Sequence, residues 1–137
     1  MTETVNVIHY EWSGHLTDDE MVGLVVSHGG NPVAGWWDRI RPHSLGWMVA
    51  RTENNQVAGF VNVAWDGGDH AFLLDTKVRG DLQRQGIATA LVAVATEKPR
   101  EAGCEWLHVD FDSPLRSFYF DACGFDPTEA GLIRLRP

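Results

Sequence analysis

The run of residues 71–111 constrains the fold more than any other part of the chain. Residues 71–78 form a largely apolar stretch of strand length, with Asp75 and Lys77 as its exceptions. A short polar loop, Arg79-Gly80-Asp81-Leu82-Gln83-Arg84-Gln85, follows it. From about Gly86 the apolar residues Ile87, Leu91, Val92 and Val94 recur at helical spacing. A second strand pattern, residues 106–111, comes after that helix. Two strands joined through a helix make a right-handed crossover, so they are expected to pair in parallel. The loop between strand and helix leaves first-turn N–H groups and a positive helix end facing outward, where a phosphate ester can sit.

The remainder predicts a mixed sheet. Residues 5–12 alternate loosely and predict a strand ended by Ser13-Gly14. Thr17 and Glu20 have capping-box spacing, opening a helix through Met21, Leu24 and Val25 that His28-Gly29-Gly30 stops. Residues 35–41 predict a short second helix carrying Trp36, Trp37 and Ile40. Two strands, residues 45–51 and 57–65, flank the polar turn Glu53-Asn54-Asn55-Gln56 and form a hairpin. Asp66-Gly67-Gly68-Asp69 is the next turn. Pro99 is expected to kink or end the long helix, and Gly103 to close that segment. Ser113-Pro114 starts another helix and Cys123-Gly124 ends it, before a final strand over residues 131–136. The order β-α-α-β-β-β-α-β-α-β, with parallel and antiparallel pairs, is that of a mixed-sheet α+β domain. At 137 residues it is expected to be one domain over 1–137.

Composition narrows the function. A net charge of −8 argues against broad nucleic-acid binding, which needs basic surface, and is compatible with a cationic partner such as an amine. No window approaches the roughly 18–20 apolar residues of a membrane span. The opening Met1-Thr2-Glu3-Thr4-Val5-Asn6 lacks a basic or apolar leader pattern, so a cytoplasmic location is expected. Cys104 and Cys123 belong to no Cys/His ligand cluster, so no metal is expected.

Two motifs carry a family resemblance. The first is Gln83-x-x-Gly86-x-Ala88 at the strand–helix junction. The second is Asp112, then Tyr119 seven residues on, then Gly124-Phe125. At this separation, with a strand between them, they resemble the acyl-CoA loop and C-terminal helix of the GNAT superfamily of N-acyltransferases, whose element order the chain also follows. The resemblance implies a GNAT fold in which a parallel, splayed strand pair holds acetyl-CoA, with no metal. It implies cofactor contacts from Thr76, Lys77, Val78, Gln83, Arg84, Gln85, Gly86, Ile87, Ala88, Thr89, Asp112 and Tyr119. First-turn N–H groups from Gln85 to Thr89 would meet the pyrophosphate, with Arg84 adding a charge-assisted contact or remaining solvated. A bulge near Thr76-Lys77-Val78 would open the cleft, and a backbone N–H near Val78 would polarise the thioester carbonyl.

The same resemblance makes Tyr119 the acid that protonates the leaving thiolate, against the alternative of a core aromatic beside Phe118 and Phe120. The base is less defined. Leu74 stands where many family members have Glu, and Asp75 points to the other face unless the bulge intervenes. His108 and Asp110 share a strand face near the splay and form a candidate base, or else a self-satisfied pair. Asp112 replaces the usual Asn and has N-capping as an alternative role. The acceptor site is expected among Trp36, Trp37, Trp47, Asn62 and Trp65, either as an aromatic box for an amine or as core filler. The expected activity is acetyl transfer to a small-molecule primary amine. Alternatives are a protein or peptide N-acetyltransferase and a non-catalytic CoA-binding module. A homodimer is compatible with the sequence.

Overall fold

The computed structural model describes residues 7–137. Val5 and Asn6, where the first strand was expected to begin, lie outside the described residues, as does the rest of the opening segment. The strands are β1 (Ile8–Trp12), β2 (Ser44–Thr52), β3 (Val57–Trp65), β4 (His70–Val78) and β5 (Trp106–His108). The helices are α1 (Asp18–Ser27), α2 (Trp36–Ile40) and α3 (Ile87–Glu101). The sheet runs in the order β1-β2-β3-β4-β5, antiparallel up to β4 and parallel between β4 and β5. The parallel pair is the one the crossover required.

Alternation along the strands gives the sheet two apolar faces. Met48, Ala50, Val61, Val63, Ala71 and Leu73 point to the face that α3 covers with Ile87, Leu91, Val92 and Ala95. Val49, Val57 and Phe60 point to the other, where Met21 and Leu24 of α1 and Trp37 of α2 close over them. The helices therefore lie on opposite sides of β3 and β4, and both sides converge on the end of β4.

Thr17 caps α1 as its spacing predicts, accepting from the Glu20 N–H at 3.0 Å while Glu20 Oε1 accepts from the Thr17 N–H at 3.1 Å. Glu20 also grips Arg51 of β2 bidentately, at 2.6 and 3.1 Å, joining α1 to the sheet. The Arg51 hydrogen bond, ahead of the capping contact with Thr17, lowers the Glu20 carboxyl to about 2 against burial that opposes it. A carboxyl lowered on folding stabilises above its unfolded value, 4.5, and that stability is lost as pH falls toward 2. Denaturant midpoints across this acid window should fall more steeply for the wild type than for Glu20→Gln. Equal slopes would remove the ion pair from the acid response.

Four sequence expectations are corrected. Pro99 does not end α3, which runs on to Glu101. It sits in the last turn, where bonds from Ala102 to Lys98 and from Cys104 to Pro99, both 3.0 Å, hold the chain beyond the missing N–H. β5 stops at His108 rather than at residue 111, because β4 no longer accompanies it. The segment after Asp112 is a 3-10 turn, Ser113–Leu115, followed by a π-helical turn, Ser117–Ala122. Its wider turn, closed by Cys123 N–H to the Phe118 carbonyl at 3.0 Å, keeps Tyr119 facing the core. Residues 131–136 form no strand, since among the described residues they pair with no strand edge.

Candidate functional site

Geometry at the end of β4 builds the site. Leu74 pairs with Asn62 and Lys77 with Phe60, so Asp75 and Thr76 together oppose Val61. This is a β-bulge, and Asp75 takes its left-handed position at φ +60°. No glycine marks it, which is why the sequence did not locate it. The parallel strands part just ahead of it. Their pairing ends at Phe72–His108, while β4 continues six residues to Val78.

Tyr119 reaches into this parting from the π-helical turn. Its ring is buried, stacked on Phe111 with centroids 4.7 Å apart, and edge-on to Phe118 and Phe125. The Thr76 side chain is a polar neighbour of its hydroxyl. Tyr119 thus touches both walls of the cleft, the bulge of β4 and the chain leaving β5. Burial raises the phenol pKa, the polar Thr76 side chain opposes this, and Cys123 and Asp110 add to the rise. Tyr119 is therefore a neutral, protonated donor around pH 7.

The bulge turns Lys77 to the opposite face. Its ammonium lies 5.2 Å from the Trp36 ring centroid and 5.9 Å from that of Phe60. Burial lowers the Lys77 pKa and raises that of Asp75, and each charge partly offsets the shift of the other. Asp75 nevertheless keeps an exposed side chain. The Lys77 side chain is a feature that sequence reading missed, having assigned this residue only a backbone role. The signal was present, a lone lysine in an apolar strand.

The loop from β4 to α3 is fixed in place at its start. The Arg79 N–H donates to the Ala58 carbonyl at 2.8 Å, and Arg79 Nε holds Asp81 at 2.8 Å. Gly80 packs on the end of α1, where a Cβ would collide with the Ser27 carbonyl oxygen. Gln83 Nε2 reaches the Val78 carbonyl at 3.5 Å. Arg84 at φ +65° and Gly86 at φ +81° are both left-handed, with Gln85 between them. Gly86 then caps α3 without any side-chain hydrogen bond. The first intrahelical bond runs from the Ala90 N–H to the Gly86 carbonyl at 3.1 Å, leaving the N–H groups of Ile87, Ala88 and Thr89 ahead of the ladder. A Cβ on Gly86 would meet nothing within 4 Å. The glycine is thus required by backbone conformation, not by helix–strand packing, and the approach to the helix end is open.

The other expected residues scatter. His108 is exposed, stacks on Phe72 at 4.8 Å, and meets His70 Nδ1 through its Nε2 at 2.8 Å. It therefore sits where the strands begin to part, in a pair with His70 that the sequence did not suggest. Asp110 lies close enough to Tyr119 to affect its charge, and not in a His108–Asp110 pair. Asp112 occupies the cap position of the 3-10 turn but makes no side-chain cap bond.

The five acceptor candidates do not form one box. Trp37 and Asn62 are buried, Asn62 accepting from the Ser44 hydroxyl at 2.6 Å. Trp47 packs edge-on against Trp37 and donates to the Gly14 carbonyl at 2.8 Å. Trp65 is exposed at the far end of β3. Of the five, Trp36 alone touches Lys77, beside the bulge.

Two concavities on the α1/α2 side do not coincide with this cleft. One of about 340 Å³ is lined by Glu20, Leu24, Ser27 and Arg79. Another of about 540 Å³ is lined by His15, Asp18, Asp38, Arg41 and Trp47. Neither includes Tyr119, Thr76 or the start of α3.

Comparison with known proteins agrees with this architecture. Residues 6–125 match the model of the acetyltransferase (GNAT) family. No curated protein matches the chain. Among solved structures, a probable acetyltransferase from meticillin-resistant Staphylococcus aureus superposes with a TM-score of 0.81 at 18% identity, covering 96% of this chain and 100% of that one. A putative acetyltransferase from Deinococcus radiodurans R1 gives 0.76 at 22% identity, covering 93% and 88%. The aminoglycoside N-acetyltransferase AAC(6')-Iy, in complex with CoA, gives 0.74 at 16% identity, covering 99% of each chain. At these identities the structures report the fold. With the sequence match over most of the chain, and the splayed parallel pair beside an open α3, this chain belongs to the GNAT family of acetyltransferases.

Proposed function

We propose that the chain is an N-acetyltransferase that moves the acetyl group of acetyl-CoA to a primary amine of a small molecule in a ternary complex. The observation that carries this reading is Tyr119 set between the parted strands, with Thr76 at its hydroxyl, in a groove that begins beside the open end of α3. The residues fit the ligand. The first-turn N–H groups ahead of the helical ladder suit a pyrophosphate, and β4 runs on past its last pair with β5, at Phe72, where an extended arm could lie. Bound acetyl-CoA supplies an activated acetyl group as a thioester. Gly86, Ile87, Ala88 and Thr89 hold its phosphates, and β4 beyond the bulge orients it. Tyr119 keeps a proton at its Oη for the sulfur that leaves. Asp75, exposed at the bulge, would accept a proton from an incoming ammonium. AAC(6')-Iy, by its name, acts on aminoglycosides, and another structural neighbour is a glucosamine-6-phosphate N-acetyltransferase from Arabidopsis thaliana. Both support a small amine as acceptor.

One observation favours a second reading, a CoA-binding module without turnover: Leu74 presents an exposed apolar side chain where the family often has Glu. Acetyl-CoA should raise the melting temperature of the wild type and release thiol with some amine of a panel. Gly86→Val puts a β-branched residue at φ +81°, a strain of about 1–2 kcal/mol or more, so its affinity should fall about tenfold. No thermal shift with acetyl-CoA would sink the proposal. A shift without thiol release would favour the second reading.

A further inference from the structure

Lys77 is a cation set in an apolar strand, and its near neighbours are ring faces. Its ammonium lies 5.2 Å from the Trp36 ring centroid and 5.9 Å from that of Phe60. Among the described residues the ion pairs involve other lysines and arginines, not Lys77. Asp75, two residues back at the bulge, supplies the charge that partly offsets its burial. Ring faces compensate a half-buried ammonium less fully than a carboxylate in contact with it does.

The place of Lys77 gives this unmet charge a use. It follows Thr76, whose side chain neighbours the Tyr119 hydroxyl. Thr76 and Lys77 face opposite sides of the sheet. Tyr119 and α3 fill one side, while Lys77 lies with Trp36 and Phe60 on the other. An acceptor that joins bound acetyl-CoA has the Lys77 side to enter from. The Trp36 face is also the aromatic surface that would take a cationic amine, and Lys77 already occupies it. A polycationic acceptor therefore meets a like charge there, and an anionic group meets an opposite one.

We infer that the acceptor amine carries a carboxylate close to its nitrogen, as amino acids do, and that Lys77 binds that carboxylate; this rests on the acetyl-transfer reading. Asp75 and Lys77 stand two positions apart on β4, roughly 6–7 Å. Their opposite charges match the ammonium and the carboxylate of such an acceptor. A dianionic phosphate suits the place less, since Asp75 repels it and Lys77 is a single point charge. With the carboxylate bound, Lys77 gains a direct anionic partner, which favours its charged form against burial.

Thiol release should be measured for α-amino acids, β-alanine and γ-aminobutyrate, each beside its own carboxamide, with the wild type, Lys77→Met and Lys77→Arg. Methionine keeps an apolar stem against Trp36 and removes the charge, whereas arginine keeps the charge. The two members of each pair differ in basicity whatever the enzyme. The readout is therefore the ratio of their kcat/KM values and its change on substitution. For the best acceptor, Lys77→Met should lower the acid-to-amide ratio about 10–100-fold, chiefly through the KM of the acid. Lys77→Arg should retain most of the ratio. An unchanged ratio in a folded Lys77→Met that still shows a thermal shift with acetyl-CoA would overturn the inference. So would a wild type that binds acetyl-CoA and turns over no carboxylate-bearing amine of the panel. Absence of any thermal shift with acetyl-CoA in the wild type would instead remove the acetyl-transfer reading itself, which keeps the two failures apart.

Discussion

Tyr119→Phe should lower the acetyl-transfer rate by about 10²–10⁴-fold while leaving the fold intact, the range expected when a positioned acid is removed. The substitution keeps the ring that stacks on Phe111 and meets Phe118 and Phe125, so packing survives. It deletes only the hydroxyl beside Thr76, at a stability cost of no more than about 1 kcal/mol. The effect should appear in kcat, with KM for acetyl-CoA little changed, because phosphate binding resides at α3. Burial raises the Tyr119 pKa, so the wild-type donor stays protonated through neutral pH and is lost only above its ordinary value of 10.0. The acceptor must be neutral to attack, so the rate should climb with pH through the neutral range and turn down only when Tyr119 ionises. The variant should lack that alkaline fall. An unchanged kcat would return Tyr119 to the role of a core aromatic.

Trp37→Ala should cost about 3–5 kcal/mol of stability, a large share of the 5–15 kcal/mol that holds a typical domain together. Trp37 is 0% exposed and lies at the centre of the α1/α2 side. Trp47 and Phe60 pack edge-on against it at 4.9 and 5.0 Å, and Trp36 tilts against it at 6.3 Å. Removing the indole leaves a cavity that these rings, held by α2 and by β2 and β3, cannot collapse to fill. Trp37→Phe should cost less, about 1–2 kcal/mol, because it keeps part of the volume and removes an indole N–H that has no hydrogen-bond partner. Urea unfolding of the two variants measures both. A loss below about 1 kcal/mol for the alanine variant would show that this layer relaxes freely. The layer also matters for the site. Trp36 rests on Trp37 and carries the Lys77 ammonium, so loosening it should disturb the cleft margin beside the bulge.

Where a residue's role follows from its neighbours in sequence, the chain was legible. The capping box at Thr17 and Glu20, the hairpin around Asn55, and Gly86 at the start of α3 are local devices, and each stands where its residues predicted. The parallel β4–β5 pair was legible too, since a helix between two strands leaves little other choice. Pro99 misled because a missing N–H matters less in a last turn than in a helix interior. The strand pattern of residues 131–136 misled for a different reason. A strand needs an edge, and alternation in sequence does not state whether one is within reach.

The sequence by itself thus determined the family, the element order and the open helix end, because backbone conformation and hydrophobic period are written in short windows. Tertiary structure decided what meets what. It set Thr76 against Tyr119 across the splay, placed the bulge at Asp75 without a glycine, and drew Lys77 onto Trp36. It also dispersed the tryptophans between core and surface. Those contacts join residues tens of positions apart, and long-range packing selects them from many partners that the local pattern allows equally.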